Sequence, residues 1–259
     1  MRRRKTQNAE MPLLGHIKEL RKVMLISAYT IAAGTILGWV LSDYTYRFLA
    51  QPMEAVQGVR FITTTPMESI YVKLRISLVL GIVISLPIIL WQVWSFILPA
   101  LKKHEKKYLY FIVPWSLILF VGGSAFSYYL VLPTGLKFLM VVGGGAVDYI
   151  PFVTKSSYLN FILSFMLTFG LVFQLPVVLL LLMRLGIITP RALAKFRKWA
   201  FFIIVILAVI ISPTPDLATQ FLMAGPMYML YELSIWLGYL AIRKKQKELT
   251  KVNKEEEQL

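Results

Sequence analysis

Six stretches of this chain are apolar over about the length needed to cross a bilayer, and few folds are open to a chain built this way. They run roughly over 23–42, 71–99, 109–132, 159–183, 198–212 and 217–241. A helix spans the hydrocarbon core with about 20 residues, and in lipid its backbone amides and carbonyls must be paired internally. The pattern predicts an all-α polytopic membrane protein with six transmembrane helices. Composition agrees, since 58% of the 259 residues are hydrophobic and 16% are charged. The first run starts near Val23 and is too long for a signal-peptide core, so it reads as a retained span.

An even number of spans puts both termini on one side, and the basic residues choose the side. The N-terminal segment carries seven Lys and Arg, the 100–108 loop four, the 184–198 loop five and the tail from Arg243 six. The alternate loops hold only Arg47, Arg60, Lys137 and Lys155, with Lys73 and Arg75 at the outer end of the second span. This asymmetry predicts that both termini are cytoplasmic. It also accounts for a net charge of +15 without a nucleic-acid partner. Residues 1–242 then form one six-span membrane domain, and 243–259 a charged cytoplasmic tail, a frayed helix or disordered.

Two features make the bundle irregular. The fifth run has 13 uncharged residues, 200–212, or roughly 20 Å of helix, so it must recruit its KFRKW flank or thin the bilayer. Pro87, Pro114, Pro176 and Pro226 fall inside spans, where each removes a backbone donor and bends its helix. One reading is ordinary kinking. The other is a kinked, concave bundle. Residues 43–70 read as a first outer loop lying along the membrane face, and 12–25 as an amphipathic entry helix on the membrane surface.

Few groups are available for chemistry. Cysteine is absent, the two histidines, His16 and His104, are far apart in the sequence, and no HExxH pair or phosphate-binding loop is present. No catalytic centre, metal or cofactor is expected. Polar residues within spans are costly and so become candidates: Glu232, Gln174, Gln92 and Gln220. Glu19 in the entry helix and Glu105 in LKKHEKKY are carboxylates set among lysines. From the residues alone, each is either a solvated charge paired with its neighbours or a docking point for something cationic.

Five stretches in order resemble the TatC family, the multispanning subunits of the twin-arginine protein translocase. They are GHIKELRK (15–22), LPIILWQVWSFILPALKKHEKKY (86–108), FGLVFQLPV (169–177), RLGIITP (184–190) and SPTPDLATQFLMAGPMYMLYE (212–232). The resemblance implies a receptor rather than an enzyme, in the cytoplasmic membrane of a prokaryote. Its implied partners are twin-arginine signal peptides of folded cargo, single-span Tat subunits of the TatA/TatB type, membrane lipid and further copies in an oligomeric complex.

By position, the resemblance implies that Glu19 and Glu105 meet the arginine pair, with Arg21, Phe96 and Pro99 in the surrounding surface. Pro52 matches a proline important in the first outer loop. Gln220 and Gln174 match the region where a partner helix docks. Many family members carry glutamate where this chain has Gln174, so only a hydrogen-bonding role carries over there. The competing reading is a small-solute secondary transporter or channel, against which stand the lack of ion-binding acids and of an internal repeat.

Overall fold

The computed structural model describes residues 13–54, 60–97, 107–144, 152–212 and 216–256. Nine helices are found among them: α1 (Leu13–Glu54), α2 (Glu68–Ile97), α3 (Lys107–Phe126), α4 (Leu132–Gly144), α5 (Lys155–Val172), α6 (Leu175–Arg184), α7 (Pro190–Lys195), α8 (Arg197–Ile211) and α9 (Leu217–Glu256). Among the described residues, four helical stretches are long and apolar enough to cross a membrane: Ile17–Met53, Glu68–Phe96, Tyr110–Phe138 and Lys155–Arg184. Helix α8, at 15 residues and roughly 22 Å, is shorter than a bilayer core. It begins in the charged KFRKW flank, at Arg197, the first of the two routes open to so short a run.

The elements differ from expectation in four places. Residues 12–25 do not form a separate surface helix, because Leu13 begins a single 42-residue helix that continues through the first span. That helix also absorbs 43–54 from the expected outer loop. The fourth run is broken at Phe173–Gln174 into α5 and α6. Pro176 is the reason, since it has no N–H to offer Val172 and opens α6 instead.

The fourth difference is β structure in a chain expected to be all helical. Strand β1 (Arg60–Ile62) pairs in parallel with β2 (Phe152–Thr154), Phe61 standing opposite Val153. This ribbon lies where α1 ends and α2 and α5 begin. We call that side the ribbon end, and the opposite side, with the start of α1 and the ends of α2 and α6, the basic end.

Helices α1 and α2 form the most extensive pair. Their seam is built from small residues at four-residue spacing, Gly34 and Gly38 on α1 against Ser77, Gly81 and Ser85 on α2. A Cβ added at Gly34 would stand 2.7 Å from the Gly81 carbonyl oxygen. In lipid, where apolar burial does not drive helices together, such close backbone contact is what holds a pair. The Ser85 hydroxyl strengthens it, donating to the Thr30 carbonyl at 2.7 Å.

The main core gathers Leu132, Leu159, Ile162, Phe165, Met223 and Ile235 from α4, α5 and α9. A second cluster around Leu86, Trp94 and Phe120 joins α2 to α3. Outward faces remain apolar, as on α8, where Phe202 and Ile210 are 59% and 72% exposed. Lipid is the solvent such a surface fits.

Candidate functional site

At the basic end, the α1–α2 register brings part of the expected site together. Gly38 lies against Ser77, Gly34 against Gly81 and Thr30 against Ser85. Beyond Thr30 and Ser85, Glu19 on α1 and Phe96 on α2 lie further toward this same end. Arg21 is exposed and Phe96 half-buried beside the end of α2. Glu19 Oε2 is shut away from solvent and has no hydrogen-bond partner among the described residues. A carboxylate oxygen in that state lacks the compensation that burial demands. Pro99 and Glu105 lie outside the described residues.

Gln174 sits at the α5–α6 break. Its Nε2 donates to the Ser116 carbonyl on α3 at 2.9 Å, while the Ser116 hydroxyl accepts from Trp94 Nε1 on α2 at 3.0 Å. Ser116 thus joins three spans through polar contacts. Gln174 Oε1 is buried and has no partner among the described residues. Gln220 lies far along the chain in the first turn of α9, its amide on the Asp216 carbonyl at 3.2 Å. Asp216 also caps that helix by accepting from the Thr219 amide at 2.7 Å.

Pro52 is not in a loop but in the last turn of α1. A residue here would normally donate its N–H to the Phe48 carbonyl, and proline has none. The Tyr128 hydroxyl takes the amide's place, donating to Phe48 O at 2.7 Å. The Tyr158 hydroxyl donates to the next carbonyl, Leu49 O, also at 2.7 Å. Tyr128 is presented by a π-helical turn, Ser127–Val131, closed by the Leu132 amide on Ser127 O. Proline, π turn and the α5 tyrosine thus form one clamp at the ribbon end.

Two further carboxylates are tied into the structure. Glu68, which sequence reasoning missed, accepts from the Thr64 amide and hydroxyl at 2.7 and 3.1 Å and from the Ser156 amide at 2.9 Å. It thereby joins the start of α2 to the first turn of α5. The T-x-x-E spacing of Thr65–Glu68 was the available signal, although the observed bonds reach Thr64. Glu232 pairs with Arg197 at 2.8 Å through both carboxylate oxygens, and Tyr228 donates to it at 3.0 Å. The costly acid of the last run is thus matched by the arginine that opens α8.

Long apolar helices with tightly packed glycine seams, and polar groups held between spans, define a helical membrane protein. No group of His, Asp or Glu that would hold a metal occurs among the described residues. The profile of the family described as "Sec-independent protein translocase protein (TatC)" matches residues 15–226. A TatC protein of Aquifex aeolicus is 40% identical, covering 93% of this chain and all of the relative. TatCy of Bacillus subtilis is 37% identical, covering 92% of each. A crystal structure described as the twin arginine translocase receptor TatC superposes with a TM-score of 0.80 at 38% identity, over 88% of this chain and 99% of that one. The chain belongs to the TatC family of protein translocase components.

Proposed function

We propose that this chain is the signal-peptide receptor and core subunit of a twin-arginine translocase. It crosses the cytoplasmic membrane of a prokaryote six times, with the basic end and both termini in the cytoplasm. The observation that carries this reading is Glu19 Oε2 at the basic end, shut away from solvent and without a hydrogen-bond partner among the described residues. A carboxylate so placed calls for a donor beyond those the described residues supply. Guanidinium fits best, because its planar fork can bond both carboxylate oxygens while lysine offers a point charge.

Glu19 and Glu105 would each take one arginine of the pair, within a surface formed by Arg21, Phe96 and Pro99. Lysines around Glu105 would repel cationic peptides that lack this fit. Single-span subunits of the TatA/TatB type would dock where Gln220 and Gln174 offer hydrogen-bonding groups, and folded cargo would cross with their help.

The test is binding of a labelled twin-arginine signal peptide to the purified chain in detergent. The twin-lysine peptide, and the Glu19→Gln and Glu105→Gln variants, are expected to bind at least about tenfold more weakly, as expected for losing a charge-assisted bidentate contact. Equal binding in all four arms would remove the receptor assignment.

A further inference from the structure

We propose that the ribbon end carries a binding site for the phosphodiester headgroup of an anionic phospholipid, between α1, α2 and the start of α5. An open pocket of about 230 Å³ lies there, lined by Ser42, Asp43, Tyr46, Ser69, Lys73 and Lys155 over a floor of Val72 and Ile76. Cations are scarce at this end, yet two lysines from different helices converge on this pocket.

Each lysine is set over an aromatic ring of α1. Lys73 Nζ lies 5.3 Å from the centre of the Trp39 ring, and Lys155 Nζ lies 5.9 Å from that of Tyr46. Trp39, Ser42, Asp43 and Tyr46 recur at three- and four-residue spacing, so they share one face of α1. Asp43 bonds Lys73 through both oxygens, at 3.0 and 3.2 Å. The charged side chains lining the pocket, Lys73, Lys155 and Asp43, sum to one positive charge, and Lys155 has no carboxylate partner among the described residues. Its three donors, those Lys73 keeps free and the Ser69 hydroxyl match the oxygens of a phosphodiester.

The surroundings select a lipid over a free anion. Ile36 and Val40, 72% and 71% exposed, continue the Asp43 face of α1 away from the ribbon end, deeper into the span. A headgroup held by the lysines would lay its acyl chains on that apolar surface. A choline headgroup would bring its own cation among the lysines, so a glycerol headgroup is the better match. Lysine near an anionic headgroup contributes on the order of 1 kcal/mol.

Native mass spectrometry of the full chain in detergent, titrated with phosphatidylglycerol or phosphatidylcholine of the same acyl chains, tests this. The wild type is expected to retain phosphatidylglycerol preferentially. Lys155→Gln should weaken that retention about fivefold, while Lys155→Arg should keep it. Lys137→Gln, an exposed lysine elsewhere on the ribbon end, should change nothing. The site is overturned if Lys155→Gln retains phosphatidylglycerol like the wild type, or if Lys137→Gln loses as much. Displacement of the lipid by inorganic phosphate at matched concentration would overturn the lipid as its ligand.

Discussion

Gly38→Leu is expected to separate α1 from α2 and leave no monodisperse, heat-resistant species in detergent. At this position even a methyl group would press on the Ser77 carbonyl oxygen and on the Leu80 side chain. The obstructing atom is backbone, so no rotamer change relieves the clash, and the helices must move apart along their seam. Gly38→Ala should already cost about 1–3 kcal/mol, the range usual for overpacking, and leucine more. Two glycines serve as internal controls. At Gly122 and Gly225 an added Cβ meets nothing within 4 Å, so alanine there should stay within about 1 kcal/mol of neutral and gain slightly in helix propensity. At Gly123, next to Gly122, an added Cβ would stand 2.6 Å from the Phe169 carbonyl oxygen, so alanine there should behave like Gly38→Ala. Thermal unfolding in detergent gives the comparison. If Gly38→Leu melts with Gly122→Ala, close backbone contact is not what joins these helices.

The existence of the apolar helices was legible because apolar length is a local property that lipid turns directly into helix. Their ends were not. Residues 43–54 contain Asp43, Arg47, Gln51 and Pro52 and read as a loop, yet α1 continues to Glu54. What sustains its last turn comes from Tyr128 and Tyr158, far away in the sequence. The ribbon was illegible for a similar reason. Three-residue strands carry no usable alternation, and β1 meets β2 across the whole of α2, α3 and α4. The break before α6 had a visible signal in Pro176, which reads as a kink or as a new helix start until packing decides.

The candidate site divides along the same line. Gln174 and Glu232 stood out because a polar group in an apolar setting is conspicuous in a sequence, and Glu19 because it is a carboxylate set among lysines. Their partners did not stand out. Ser116 is one serine among many until Trp94 and Gln174 meet on it, and Arg197 looked like one of several loop cations until it faced Glu232. Glu68 escaped notice because it sits at a span boundary, where an acid is unremarkable. Its three bonds come from segments before α2 and at the start of α5.

Tyr128→Phe should lower stability by about 1–3 kcal/mol, the range for leaving a buried hydrogen-bonding group without its partner. The ring itself would stay, still stacked on Phe48 with centres 4.5 Å apart, so only the hydroxyl is removed. Tyr158→Phe should act likewise on Leu49 O, and the double variant should release the end of α1. Pro52 makes the argument specific. In the Tyr128→Phe background, Pro52→Ala restores an amide that can reach Phe48 O within the helix, and stability should partly recover. In the wild-type background the same alanine brings a second donor to a carbonyl already served by Tyr128 and should recover nothing. The expected result of this double-mutant cycle is therefore coupling between positions 52 and 128, read from unfolding midpoints in detergent. Plain additivity would mean that Tyr128 is not standing in for the missing amide, and that Pro52 matters for another reason. A Tyr158→Phe effect equally sensitive to Pro52→Ala would instead place both carbonyls under one backbone distortion, since Met53 can still supply a helical amide to Leu49 O.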